Sequence, residues 1–353
     1  MKRLPLIDAL KAIASQMIVL HHLAFYGPMS DLTHQLAPAL VSWFSQHARL
    51  AVQVFLVVSG FLTVRALAPH GAWQATRPWS FLGKRYINIA MPYMASLLVA
   101  IGCSALARAW MSHSSIPAPP ELGQFLAHAF LLHSLLELDS LSAGVWYIAV
   151  DFQLFALAVG LLWLGQPRHQ PPQSGHLHTT TMGLFFGLGA VSLLWFNRNA
   201  GWDNWALYFF GAYALGGLAW WISQQAVRTR GVWAAGVWAL VALALVVDFR
   251  SRIALAASVA LLLGWGHVHG FLYRWPQSTV LAYLGRISYA VFLMNFPVAL
   301  VVNAAFTRFA PTDAGIQTLG VVVAWMACIA AGAAFYHWVE EPLRRLAQRW
   351  MQT

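Results

Sequence analysis

Charge is scarce in this chain. Only 9 % of its 353 residues are Asp, Glu, Lys or Arg, where a soluble globular protein carries about 25 %. The shortfall is too large for an oversized core and excludes an ordinary soluble domain. Acidic residues are scarcest: 11 stand against 21 Lys and Arg, a formal net charge of +10. Such an excess can mark a nucleic-acid binder. Here the basic residues are scattered among apolar segments with no dense stripe, so they read as a membrane topology signal and not as a nucleic-acid surface. The only two cysteines, Cys103 and Cys328, both lie in apolar stretches, which argues against a disulfide framework and leaves packing as their role. No Rossmann, Walker or kinase motif is present. No internal repeat is visible either, which counts against transporter folds built on inverted repeats. Any chemistry must then take place within or beside a bilayer.

What the chain has in abundance is apolar sequence, 59 % of the total. Several stretches reach the roughly 20 residues that cross a bilayer as a helix. Ten spans are predicted, at about 7–27, 49–67, 85–108, 143–164, 180–197, 204–223, 231–247, 252–268, 280–305 and 316–338. The expected fold is all-α: a polytopic transmembrane helix bundle of about ten spans. It forms one membrane-embedded domain, 1–345, with a short tail, 346–353. The segment 121–137, ELGQFLAHAFLLHSLLE, has polar flanks and a polar interior, and reads as a re-entrant or interfacial helix. Were it to cross, there would be eleven spans and everything downstream would invert. With ten spans and both termini cytoplasmic, fifteen Lys and Arg fall inside. Only Arg49, Arg108, Arg198, Arg250, Arg252 and Arg308 fall outside, which fits the positive-inside rule. The external hairpin with Asp248, Arg250 and Arg252 fits that rule least well. MKRLPLIDALK resembles a signal peptide, but no small-residue cleavage site follows, so it reads as a retained helix. The loop 165–179 is rich in Pro, Gln and His. It reads as a flexible linker, with metal binding by His169, His176 and His178 as the lesser alternative.

Ionisable and polar groups within spans are costly and tend to mark sites. In the first span, LIDALKAIASQMIVLHH, Lys11 and His22 are eleven residues apart. That is about 16 Å of rise and about three turns, so they share a face, while His21 is turned away by roughly 100°. Asp8 lies one turn before Lys11 and can pair with it. A buried neutral imidazole can take a proton from a hydroxyl near neutral pH, as acyl transfer to an alcohol requires. Both histidines could equally be interfacial polar residues that end the span. In VQVFLVVSGFLTVR, Gly60 permits a close helix approach and Ser59 can bond across it. Lys84 and Arg85, in FLGKRYINIAMPY, could hold phosphates or simply anchor a helix end, and Pro92 should kink that helix. Asp151, in GVWYIAVDFQLFAL, needs a partner or must stay protonated. It could orient an imidazole, bind a substrate hydroxyl or tie two helices together. YLGRISYAVFLMNFPV puts Arg286 at a span's mouth and Asn295 inside it. In FYHWVEEPLRR, Glu340 and Glu341 read as a solvated end paired with Arg344 and Arg345.

In this order, the six stretches resemble the acyltransferase-3 family of integral membrane acyltransferases, which decorate bacterial surface carbohydrates and related acceptors. The resemblance runs from Leu6 to Arg345. The family's Asp, then Arg, then ten residues and His is matched by Asp8, Lys11 and His22, which singles out His22 over His21. Its Ser-Gly-Phe helix is matched by Phe55 and Ser59-Gly60-Phe61, and its basic cluster by Lys84 and Arg85. Its Trp-Ser-Leu-x-x-Glu-x-Gln-Phe-Tyr segment is similar to Trp146, Asp151, Gln153 and Phe155. Gly285 through Tyr289 match its Gly-x-Ile-Ser-Tyr, and Glu340 and Pro342 its Glu-x-Pro. Four positions depart from the pattern: Lys11 for Arg, Asn88 for an Arg of the basic cluster, Asp151 for Glu, and Asn295 where many members have His.

The resemblance implies transfer of an acyl group, acetyl or another short one, from acyl-CoA to a hydroxyl of a glycan or lipid-linked saccharide at the bacterial inner membrane. It implies a catalytic set of His22, Asp151 and Lys11, and a donor-binding set of Lys84, Arg85, Arg286, Ser59 and Trp146. Acyl-CoA enters as co-substrate; no bound cofactor or metal is expected, and the other partner is membrane lipid. The polytopic form and the departures leave a rival, a non-catalytic transporter or accessory protein of polysaccharide export.

Overall fold

The structure is a computed structural model and describes residues 3–71, 73, 78–166 and 179–350. Among these residues there is no β-strand. In chain order the helices are α1 (Pro5–Phe25), α2 (Pro28–Leu36), α3 (Pro38–His47), α4 (Val52–Leu67), α5 (Pro78–Trp110), α6 (Leu122–Ala129) and α7 (Trp146–Leu164). They continue as α8 (Thr179–Leu194), α9 (Ala206–Ser223), α10 (Val227–Val247), α11 (Ser251–Val268), α12 (Thr279–Phe309), α13 (Ala314–Phe335) and α14 (Glu341–Trp350). Among the described residues ten helical stretches are long and apolar enough to cross a membrane. They match the expected spans, so the chain is an all-α, multi-pass membrane protein. The expected domain end at 345 falls within α14. The His-rich loop lies almost wholly outside the described residues, as do His169, His176 and His178. Among the described residues no group of three His, Cys, Asp or Glu could hold a metal.

The chain divides into two compact units. One comprises Met1–Leu10, Val52–Arg85 and Val150–Ser278. Its centre is α9, packed against α4, α8 and α11. Of its apolar stretch 83 % is buried, against 17 % for α10, so α9 is the core helix and α10 lies at the edge. The α4–α9 crossing is built on paired glycines. A Cβ on Gly60 would lie 1.9 Å from the Tyr213 carbonyl oxygen, and one on Gly216 would lie 2.0 Å from that of Val57. Side chains larger than hydrogen would force the backbones apart. The Tyr213 hydroxyl donates to Thr63 Oγ1 at 2.7 Å, and the Trp221 indole N–H to the Ala68 carbonyl at 2.8 Å; both bonds tie the same two helices. The hairpin that strains the positive-inside rule spends its charges locally. Arg250 Nε donates to Asp248 at 2.7 Å, and its other nitrogens donate to the Asn197 and Arg198 carbonyls. The Arg250 hydrogen bond holds the Asp248 carboxyl below its ordinary range.

The other unit comprises Lys11–Ala51, Tyr86–Ala149 and Thr279–Thr353. Its α12 packs along α13, and α13 along α2. Close approach again falls on a glycine: a Cβ on Gly332 would lie 2.7 Å from Val291 Cα. The sequence pattern missed α2 and α3. Both are short, begin on a proline that pre-sets the first helical turn, and lack a long apolar run, so hydropathy reads through them. Of the two, α3 extends the second span back to Pro38. The turn out of α1 is set by Gly27, at φ 101°, beside Asn303, whose Oδ1 accepts from the Met29 N–H at 3.1 Å.

The awkward segment does not cross. Its helix α6 has eight residues, about 12 Å of rise, and starts on a capping box of Glu121 and Gln124. Turns then bring His128 and His133 into a parallel stack with ring centroids 4.0 Å apart, both fully buried. Burial, reinforced by His128, pushes His133 down to about 3, so it is neutral at physiological pH. The count of ten spans therefore stands.

Candidate active site

His22 lies near the C-terminal end of α1 and is 5 % exposed. Its Nδ1 is hydrogen-bonded to Asn295 Oδ1 of α12. Asn295 is oriented in turn: its Nδ2 donates to the Phe292 carbonyl at 2.6 Å, and Cys328 of α13 donates its thiol hydrogen to the Asn295 carbonyl at 3.3 Å. An amide whose NH2 is used on its own helix must present its oxygen to the imidazole. The oxygen can only accept, so the proton sits on His22 Nδ1 and Nε2 keeps its lone pair. Among the described residues Nε2 has no hydrogen-bond partner. Gly144, at φ +81°, lies close against this edge of the ring: a Cβ there would come within 3.1 Å of His22 Cε1 and 3.5 Å of Nε2. Around it stand Tyr26, edge-on to His22, and Tyr147, edge-on to Phe292. His21 points elsewhere, its Nδ1 hydrogen-bonded to the Phe44 carbonyl at 3.2 Å. The arrangement is that of an oriented imidazole with Nε2 free of a hydrogen-bond partner among the described residues.

A second polar cluster lies in the other unit. Asp151 is buried, and Oδ1 accepts from Ser59 Oγ at 3.0 Å while Oδ2 pairs with Arg85. The Arg85 guanidinium also lies 5.4 Å over the Phe155 ring. The α4 serine thus bonds across to α7, beside the glycine that lets α4 approach α9. Lys84 next to Arg85 is exposed, as is Asn88. Gln153 accepts from the Ala206 N–H at 3.0 Å at the start of α9, a structural use.

A third cluster surrounds a one-turn π-helix, Tyr336–Glu340, between α13 and α14. Glu340 is not the solvated residue its neighbours suggest. It is 4 % exposed, pairs with Arg344 through one oxygen, and among the described residues its other oxygen has no hydrogen-bond partner. The Lys11 charge acts on this carboxylate, and the Arg286 charge on Tyr336 beside it. Glu340 is the last residue of the π turn, where the helix is wound wider than a regular one. Asp8 accepts from Arg3 Nε at 2.9 Å.

The acyltransferase-domain family model matches residues 4–337. The chain belongs to the acyltransferase-3 family. It is an acyltransferase, with an acyl donor and an acceptor as its substrates. No curated protein and no solved structure matches the chain in the same comparisons. Within this acyltransferase the expected site residues fall into three groups by their contacts. His22 stands with Asn295, Asp151 with Ser59 and Arg85, and Lys11 and Arg286 with the turn around Glu340. Trp146 is half-buried on α7, edge-on to Tyr147. Asn295, noted in the sequence only as a departure, is the residue that orients the imidazole. Its signal was weak because 273 residues separate it from His22. Asn295→Ala should lower kcat by up to about 100-fold, the cost of misplacing a catalytic group, while KM for the donor stays near wild type. Steady-state kinetics on purified protein check this, and an unchanged kcat would remove the orienting role.

Proposed function

We propose that this acyltransferase moves an acetyl or other short acyl group from acyl-CoA to a hydroxyl of a glycan or lipid-linked saccharide at the bacterial inner membrane, both termini being cytoplasmic. The observation that carries the reading is the His22–Asn295–Phe292 chain of hydrogen bonds, which leaves Nε2 as an acceptor on the side of the ring that faces Gly144. In the direct route the acceptor hydroxyl gives its proton to Nε2 as its oxygen attacks the thioester carbonyl. The tetrahedral oxyanion collapses, the C–S bond breaks, and the thiolate takes the proton back from His22. In a covalent route Nε2 attacks the thioester carbonyl and the C–S bond breaks to release the CoA thiolate; the acceptor hydroxyl then attacks the acyl-imidazole, the C–N bond breaks to free Nε2, and the hydroxyl proton ends on the thiolate.

Lys84 and Arg85 would meet the donor phosphates. Arg85 is suited to this by its planar fork, and Asp151 and Ser59 hold it in place. On this reading Asp151 is a positioning residue for Arg85 and not a partner of the imidazole. Lys11 and Arg286 would act through the Glu340 turn. The test is mass spectrometry of surface glycans from cells with and without the chain, paired with turnover of radiolabelled acetyl-CoA by purified protein. The expected result is one missing O-acyl group in the cells and label transferred to the same glycan in vitro. Identical glycans, with acetyl-CoA neither bound nor consumed, would overturn the reading.

A further inference from the structure

A cavity of about 250 Å³ opens among α9, α10 and α11, at the end of these helices that carries Ser223, Arg230 and His269. Its walls are apolar, with Trp238 of α10 and Leu261 and Trp265 of α11 among them. Leu261 and Trp265 are each about half exposed, at 53 % and 54 %. In helices that cross a bilayer such a surface meets lipid tails. The mouth has the opposite character. Arg230 lines it, its terminal NH2 group donating to the Gln225 carbonyl at 2.8 Å, while among the described residues its buried Nε has no partner. His269, just past the end of α11, lines it as well.

The first turn of α10 is built against its own dipole. Arg228 and Arg230 occupy the end where the helix is already positive, no acidic residue accompanies them, and no side chain caps the free N–H groups. Two guanidinium groups and uncapped amides at a helix N-terminus are repulsive among themselves, and favourable once an anion is present. Behind them lies the apolar slot. The molecule with both parts is a membrane lipid whose phosphate is joined to acyl chains, and basic pockets between spanning helices bind such headgroups.

We propose that this slot holds one acyl chain of an anionic glycerophospholipid whose phosphate group sits against Arg230 at the start of α10. The lipid fills the gap beside the loosely packed α10 and neutralises its first turn. The site is independent of the proposed reaction, and its failure would leave the acyl-transfer reading untouched.

Native mass spectrometry of the full chain, titrated with dioleoyl phosphatidylglycerol or dioleoyl phosphatidylcholine, tests it. Wild type should retain one phosphatidylglycerol with about tenfold preference over phosphatidylcholine, the scale of a charge-assisted contact. Arg230→Ala should abolish that preference and leave phosphatidylcholine binding unchanged. Gly264→Leu should weaken both lipids, because a Cβ at Gly264 only touches Ala219 at ordinary contact distance and the rest of the side chain must enter the slot. Should that variant not fold, Ala234→Leu fills the slot from α10. Equal affinity of wild type for the two lipids would overturn the proposal. So would undiminished binding in the filled variants, full competition by soluble glycerophosphate, or a second copy of the chain bound in place of lipid.

Discussion

His22→Ala is expected to lower acyl transfer about 10²- to 10⁴-fold, the usual worth of a positioned general base, with KM for the acyl donor little changed. The imidazole is buried, and its Nδ1 is engaged by Asn295. Only Nε2 is left to take a proton, and alanine offers nothing in its place. His21→Ala is the matched control. It removes an imidazole whose ring lies 5.5 Å from that of His22 but whose Nδ1 is spent on a backbone carbonyl, so the rate should stay within a few-fold of wild type. The two routes differ in a second measurement. With labelled acyl-CoA and no acceptor, the covalent route leaves label on wild-type protein and none on His22→Ala, while the direct route labels neither. A His22→Ala protein that transfers acyl groups at the wild-type rate would end the base role for this residue.

Gly216→Val is expected to be the most damaging packing change, at least about 3 kcal/mol, the upper end of ordinary overpacking. The atoms it meets are backbone. The first added carbon would lie 2.0 Å from the Val57 carbonyl oxygen and 2.9 Å from the Phe61 nitrogen. Neither can rotate aside, so α4 and α9 must part. Parting them stretches the Tyr213–Thr63 bond and shifts Ser59, which sits on α4 beside Gly60, away from Asp151. Damage to the core would therefore reach the Arg85 cluster. Thermal unfolding in detergent, read by intrinsic tryptophan fluorescence, is the measurement. Gly236→Ala on α10 is the control, since a Cβ there meets nothing within 4 Å. It should be neutral or slightly stabilising, by helix propensity. Equal midpoints for Gly216→Val and wild type would mean that the crossing is looser than the glycine pair implies.

The spans could be read from the sequence because each is a local property: a run of apolar residues about as long as a bilayer is thick must be helical to satisfy its own backbone. The same measure passed over α2 and α3, whose apolar positions are too few and too interrupted to register. It left 121–137 undecided until the helix within it proved to be eight residues long. The family could be read too, because its motifs are ordered along the chain and need no geometry. Spacing separated His21 from His22 by a third of a turn, and the ordered motif then chose between them.

Pairings were another matter. Asp151 had three open roles, and the fold gave it Ser59 and Arg85. Glu340 looked solvated because Glu341, Arg344 and Arg345 surround it in sequence. It is buried at the end of a π turn, and no composition rule registers one extra residue in a helical turn. Asn295 differed from many relatives at one position, yet its oxygen sets the tautomer of an imidazole 273 residues earlier. By itself the sequence determined an all-α membrane protein of ten spans in the acyltransferase-3 family, since hydropathy and motif order act over short stretches of chain. Only the tertiary structure decided which nitrogen of His22 is free and what holds it so. A proton's position depends on hydrogen-bond partners, and in this protein they come from helices at opposite ends of the chain.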